Sequence, residues 1–518
     1  MKRKIWASLV ATGATVFGLT SLAPLSAEAQ SQVHPRFAAP HGQLVIADAL
    51  GDPGNWDPIA TFAISWGEIG SNIFDGLVQR TPEMKIEPDL ATSWKYLTPK
   101  SLEFTLRKGV KFQDGEPFDA TAVAFTFNRL LADKSSPQYS NYTAISSVQI
   151  VNPYKVVLHL NSVDPVLITK LAGYGAMIVP PKYIQLHGST YFGNHPIGTG
   201  PFQMVSYKKD SSILLVANTH YWAGPPKLAS VLVKFVPDAN TRIQMMQTGE
   251  ANIIETIPPS LTSEVTAQSG YSLDATGSPT VYEIRLDTAL PPMNNVLVRQ
   301  AINYAVDKNA IIQKILNGYG QPISTFQGNL SFGNDPAMSN YPYDPKKAQA
   351  LLKKAGIKPG TTLTFDYDGS DATFAEVAQA AAEELQQVGL NVKLQPEDTN
   401  TFYNTLIPKE KAGQMYEFAW GGWTLDFDNT AYLLYHKGQF WDPDFGNATI
   451  DALLTKERST NDQAVRQQAF FKIDAILHQQ AVEVPLYQAD TIWAVQKTVK
   501  GWVTPPDERM DLWGVSLQ

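Results

Sequence analysis

The chain has 518 residues, 44% of them hydrophobic and 17% charged, which is longer than one hydrophobic core ordinarily serves, so two or more lobes are expected. Its 41 basic residues against 49 acidic ones give a formal net charge of −8, and no basic run follows the first few positions; this excludes a role built on nucleic-acid backbone binding. Zero cysteines exclude disulfides and thiolate metal sites.

At the amino terminus Lys2, Arg3 and Lys4 precede an apolar run from Ile5 to about Leu25, and Ala27-Glu28-Ala29 places small residues around a cleavage point. This reads as an export signal cut near Ala29, with an uncleaved anchor as the alternative. No later apolar stretch has spanning length, so the mature protein is expected to be soluble. Residues 30 to 42 lack periodicity and read as a loose lead-in. The folded part begins at Gln43–Ala49, whose continuous apolar run suits a strand buried on both faces.

The stretch Ser101–Leu131 spells out a strand, a turn and a helix. Leu102, Phe104 and Leu106 alternate with polar residues, Asp114-Gly115 supplies a turn, and Asp119 caps a helix starting near Ala120 with Val123, Phe127 and Leu130 inward. A further strand is expected over Lys155–Leu160. Pro196-Ile-Gly-Thr-Gly-Pro-Phe202 reads as tight turns rather than a phosphate loop, because neither a third glycine nor a lysine follows at useful spacing. Asn240–Gly249 reads as a helix with Ile243 and Met246 inward, leading to a short strand at Asn252–Glu255. Val296–Val306, a helix capped by Asp307, one opened by Asp344-Pro345 and one over Thr373–Gly389 follow, the last running straight into the alternating strand at Leu390, Val392 and Leu394. A long helix from about Asp462 to Ala481 and a strand near Ile492 complete an α/β pattern.

Several of these phrases carry a resemblance. FTLRKGVKFQDGEPFDATAV, PIGTGPF, VRQAINYAVDKNAI and YDPKKAQALLKKAG resemble the wording of the bacterial extracellular solute-binding proteins of family 5, the carriers of peptides, nickel chelates and opines for ABC importers, along most of the chain. The resemblance implies a two-lobed periplasmic-binding-protein fold of type II, in the large cluster C form, with an extra subdomain inserted in lobe I. It divides the chain into a signal peptide (1–29), a lead-in (30–42), lobe I (43–277, with the inserted subdomain at about 81–191), lobe II (278–490) and a return to lobe I (491–518), with hinge crossings near 276–282 and 486–494. It implies no enzyme, no cofactor and no metal, a peptide or small-molecule ligand, an inner-membrane ABC permease as partner and a monomer. A lipid-anchored member needs a cysteine after its leader, so this chain is expected free in the periplasm.

The residues agree on the absence of a catalytic engine: there is no G-x-S-x-G elbow, no cysteine and no pair of histidines at metal-binding spacing. What stands out is Trp420-Gly-Gly-Trp-Thr-Leu-Asp426-Phe-Asp428. Glycines and apolar residues surround Asp426, an expensive setting for a carboxylate unless a cation pairs with it. In peptide-binding members a tryptophan stands three residues before an aspartate that receives the peptide α-amino group, and Trp423 and Asp426 match that spacing. Asp426 is therefore expected to await a cationic ligand, with Gly422 and Thr424 beside it; the other reading is a cap on a turn before Tyr432–Tyr435. Asp428 reads as a turn or capping residue, and His436 as a ligand neighbour or a surface or core residue.

The carboxylate-holding arginine of dipeptide carriers is missing from Leu363–Phe374, where Ser370 and Asp371 stand, and Gly173–Met177 lacks the arginine of nickel-chelate members. That favours longer or modified peptides, opines or amino sugars. Phe62 and Trp66, placed just before the first lobe I helix, and Tyr174 are expected to line the cleft, with core packing as the alternative for each. The competing functions are a secreted hydrolase using Asp426 and Asp428 as acid and base, and a binding protein acting as sensor or chaperone.

Overall fold

The computed structural model describes residues 39–518 apart from 410, 440 and 442–444; the expected leader and most of the lead-in lie outside these residues. One sheet of eleven strands runs through both lobes. Its order is Leu390–Glu397, Thr361–Asp368, Met415–Gly421, Tyr271–Leu286, Glu483–Gln496, Ile253–Ile254, Gln43–Asp48, Ser230–Phe235, Ser212–Ala217 and Phe202–Lys208, with Gly320–Pro322 alongside Glu483–Gln496. The first strand lies parallel to both its neighbours, and Thr361–Asp368 does likewise on the other side, as helix-linked strands must.

Local chemistry explains the elements. Asp119 accepts from the Thr121 N–H at 2.7 Å and starts the helix Ala120–Ala132, which buries Val123, Phe127 and Leu130. Asp307, Asp344 and Asp462 cap their helices in the same way. The inserted subdomain is a four-stranded antiparallel sheet, Ala91–Thr98, Ser101–Leu106, Lys155–Leu160 and Ile145–Asn152, covered by that first capped helix and closed around Phe104, Phe127 and Tyr142. Lobe I has its own core around Trp56, Trp66 and Trp493, and lobe II has two, one around Ile302, Phe365 and Leu385 and one around Phe427, Phe470 and Ile473.

Three expectations are corrected. Trp66 is inside the first helix, Ile64–Gly70, not ahead of it, and is fully buried. The helix expected over Asn240–Gly249 spans Ala239–Gln247 and is capped by Asp238, whose carboxylate accepts from the Thr241 N–H. The strand expected near Ile492 begins at Glu483 and is continuous through Pro485, which lies where the pairing register slips between Tyr282 and Glu283, so its missing N–H breaks no regular ladder.

Two long strands, Tyr271–Leu286 and Glu483–Gln496, pair antiparallel and pass from one lobe to the other. A second register slip lies between Gly277 and Val281, opposite Gln488–Asp490. There the backbone is stitched by side chains: the Gln488 amide donates to the Ser278 carbonyl (2.6 Å) and the Ser278 hydroxyl donates to the Ala489 carbonyl (3.0 Å). The carboxyl-terminal tail then crosses lobe I. Asn72 fixes it, donating to the Met510 carbonyl (2.9 Å) and accepting from the Leu512 N–H (3.1 Å).

Candidate functional site

The strand Met415–Gly421 ends in a tight turn that brings Trp423 out of lobe II. Trp423 and Leu425 N–H groups donate back to Gly421 and Gly422 carbonyls, and Leu425 adopts a left-handed φ of 52°. A branched side chain there is held against its preference, at a cost of order 1 kcal/mol. The flanking bridge to Phe332, whose N–H donates to the Leu425 carbonyl at 2.8 Å, holds the turn in place.

From lobe I, Phe62 meets the Trp423 ring edge-on at 5.5 Å between centroids, and Phe62 and Tyr174 lie 6.3 Å apart. Trp66 stands behind Tyr174 at 6.0 Å and stacks on Phe74, so it supports this wall from the core. Gly173 permits the contact: a Cβ there would lie 2.6 Å from Cζ3 of Trp423. Of the expected cleft aromatics, Tyr174 and Trp423 line a cavity of about 60 Å³ bounded also by Ser278, Thr280 and the tail residues Asp507–Arg509, whereas Phe62 packs on both rings without lining it and Trp66 is buried behind them. Sites that hold small solutes run to about 300–1,000 Å³, several times the size of this gap.

Asp426 differs from the expectation of an unpaired acid. It caps the helix Phe427–Tyr435 by accepting from the Asp428 N–H (3.0 Å), and its two oxygens accept from Nη1 (2.8 Å) and Nη2 (2.6 Å) of Arg466. Burial raises its carboxyl, and the bidentate guanidinium opposes that rise. Arg466 also donates from Nε to Glu457 (3.0 Å), and Asp428 is held by Arg458. Glu457 is pushed up to about 10 by burial and by Asp428, while the Asp428 carboxyl, despite burial, is held down at about 2 by Glu457 and Arg458. Each aspartate therefore has its own arginine, which is not the acid-and-base pairing of the hydrolase alternative. The internal cation was invisible in the segment itself because it sits 40 residues downstream.

Thr424 is buried, its hydroxyl donating to the Asp426 carbonyl (3.3 Å), and Gly422 is buried in the turn. Ser370 and Asp371 stand at the far end of Thr361–Asp368, where Asp371 caps the helix Ala372–Gln387 through the Thr373 N–H (2.7 Å). They are not among the residues bounding the cavity at Trp423. His436 borders an open groove of about 600 Å³ between the inserted subdomain and lobe II, with its Nε2 4.0 Å from Asp451.

Two arginines went unnoticed in the sequence. Arg80, at the end of the strand Val78–Arg80, donates from Nη1 to the Trp423 carbonyl (2.9 Å) and from Nη2 to the Thr424 carbonyl (3.2 Å). Arg509 donates to Asp507 (2.8 Å) and to the Ala172 carbonyl (2.6 Å). The intervening Glu508 has a left-handed φ of 63°. Nothing local marks either arginine as part of a site; the tail and the strand meet only in the fold.

Asp48, Glu68 and Glu255 are three buried carboxylates close enough to hold one ion. Burial and mutual repulsion push Asp48 up to about 7 and raise Glu68, and burial raises Glu255. Each shift favours the protonated form, because burial and the neighbouring acids penalise a second negative charge.

A sheet shared by two lobes, with an aromatic wall where they meet, defines a receptor that encloses a solute. The sequence matches the bacterial extracellular solute-binding proteins, family 5 Middle, over residues 85–442, and the chain belongs to this family, as the solute-binding component of an ABC transporter. It is 28% identical over 451 residues to the glutathione-binding protein GsiB of Salmonella paratyphi A, spanning 84% of this chain and 87% of that protein. HbpA2 from Haemophilus parasuis superposes with a TM-score of 0.81 at 25% identity, over 92% of this chain and 100% of that one. DppA from Helicobacter pylori, solved with the peptide STSA, gives 0.75 at 26% identity over 92% and 98%. Among the described residues no helix is long and apolar enough to cross a membrane.

Proposed function

We propose that the protein captures a short peptide or peptide-like solute in the periplasm, as a monomer, and delivers it to a membrane permease. The observation that carries this reading is the contact of Phe62 and Gly173 in lobe I with Trp423 in lobe II, two parts of the chain that the two long strands join. Opening at the slip between Gly277 and Val281 separates this wall, and a solute that contacts both lobes favours the closed form by its differential affinity for it. Phe62, Tyr174 and Trp423, with Gly422 and Thr424 behind them, form the proposed apolar side of the site. Asp426 enters it as a paired group that fixes the Trp423 turn; an arriving ammonium would have to displace Arg466.

Of the relatives named above, GsiB is a glutathione-binding protein and DppA was solved with the peptide STSA, which makes tripeptide-sized solutes the first to try. Thermal unfolding with glutathione and with mixed tripeptides and tetrapeptides tests this: ligand at a hundredfold excess over Kd stabilises by about 2.7 kcal/mol. An unchanged melting temperature with every one of them would remove peptide capture, and mass spectrometry of the natively purified protein would then identify the solute class instead.

A further inference from the structure

We infer that Arg80 and Arg509 form an anion site at the floor of the cleft, which takes a carboxylate of the captured solute. This rests on the peptide-like reading above and replaces an ammonium at Asp426 as the charged end of the ligand that the protein recognises.

The argument begins with charge. Among the described residues Arg80 and Arg509 have one carboxylate partner between them, Asp507, whose Oδ2 accepts from Arg80 Nη1 at 3.4 Å and from Arg509 Nε at 2.8 Å. The three side chains are 3%, 10% and 10% exposed, so two cations face one anion with little water to screen them. A buried excess charge is costly until a counter-charge arrives. The Arg80 guanidinium is lowered to about 10 by burial and by the like charge of Arg509, against the pull of Asp507, which is the behaviour of an under-compensated cation. Asp507 itself, despite burial, is held below the ordinary carboxylate range by the two arginines. Neighbouring Glu508 is pushed up to about 8 by burial and by nearby acids, so at neutral pH it is mostly protonated and does not neutralise the pair.

Hydrogen bonding points the same way. Among the described residues Nε of Arg80 is buried with no partner; Nη1 donates to the Trp423 carbonyl more closely than to Asp507, and Nη2 to the Thr424 carbonyl, neutral acceptors that a carboxylate outcompetes. Access is present on both sides. Arg80, Asp507 and Arg509 line the 60 Å³ gap beside Trp423, and also a cavity of about 420 Å³ within lobe I that reaches Trp222 and Trp513, a volume that suits a tripeptide-sized group. A carboxylate bound here touches lobe I cations directly beneath the lobe II turn, so it completes the charge balance where the lobes meet.

The test uses the full mature protein and trialanine in three forms: free acid, carboxyl-terminal amide and N-acetyl derivative, with glutathione in parallel, all by calorimetry. The free acid and its N-acetyl derivative are expected to bind alike, and the amide roughly thirtyfold or more weakly. Arg80→Gln should reduce acid binding to the level of the amide. Asp507→Asn, which removes the internal competitor, should strengthen acid binding, a gain that a merely structural role does not produce. Binding of the amide as tightly as the acid, or an acid preference that survives Arg80→Gln, overturns the anion site while peptide capture stands. Binding of none of the four probes takes down the peptide-like reading and this inference together.

Discussion

Two buried charged centres flank the Trp420–Asp426 turn, and they are built on opposite principles. On one side Asp426 and Asp428 each hold an arginine, and Glu457 is pushed up to about 10, so the group is neutral as a whole. On the other side Arg80 and Arg509 share one aspartate. A balanced buried network has nothing to offer a ligand, and its loss is felt as stability; an unbalanced one is strained when empty, and its loss is felt as affinity. The acid that sequence pattern singled out belongs to the first kind.

This contrast breaks most readily at Asp426. Asp426→Ala leaves Arg466 buried without its bidentate partner and should cost about 3–5 kcal/mol of stability, seen in thermal or denaturant unfolding. If the double variant Asp426→Leu with Arg466→Met fails to recover most of that loss, the network is not a balanced pair. Next in size, Gly173→Val forces a side chain into the Trp423 ring; overpacking of about 1–3 kcal/mol should show as weaker solute binding and a larger radius of gyration with ligand by X-ray scattering. Trp423→Ala removes one edge-to-face contact and the covering ring. It should weaken binding about tenfold while the free protein melts nearly as before, whereas a large melting shift would mark Trp423 as a core residue.

The last prediction concerns pH. Glu508 rises from an ordinary 4.5 to about 8 in the fold, so the stability it contributes is complete below about pH 4.5 and is lost as pH climbs toward 8. The melting temperature should fall over that window, by part of the limiting slope of about 1.4 kcal/mol per pH unit, and Glu508→Gln should flatten it. An equal slope in the variant would assign the dependence to Asp48, pushed up to about 7, and its neighbours.

What the sequence disclosed follows the range of the interactions involved. Asp119 and Asp307 were readable as caps because a cap bonds within three residues, and Leu102, Phe104 and Leu106 as a buried face because alternation is local. Phe62 was singled out by its place before the first lobe I helix and Trp423 by its spacing to Asp426, both as the family resemblance implies, and their contacts with Tyr174 and with each other come from chain segments far apart in sequence. Asp426 was found but its partner was not, since no short pattern ties it to Arg466. Arg80 and Asp507 are 427 residues apart, beyond any periodicity or spacing rule. Asp371 shows the reverse case: it was named as a site residue, and its carboxylate accepts from the Thr373 N–H as a cap on the helix that follows.

The paired strands Tyr271–Leu286 and Glu483–Gln496 hold one last implication. Because they are hydrogen-bonded on both sides of the slip at Gly277–Val281, a movement of the lobes would twist a ribbon instead of tearing one. Torsion of that kind changes the distance between the two outer rims in step with the state of the cleft. A membrane complex gripping both rims would therefore sense whether the carrier is loaded without ever touching its cargo.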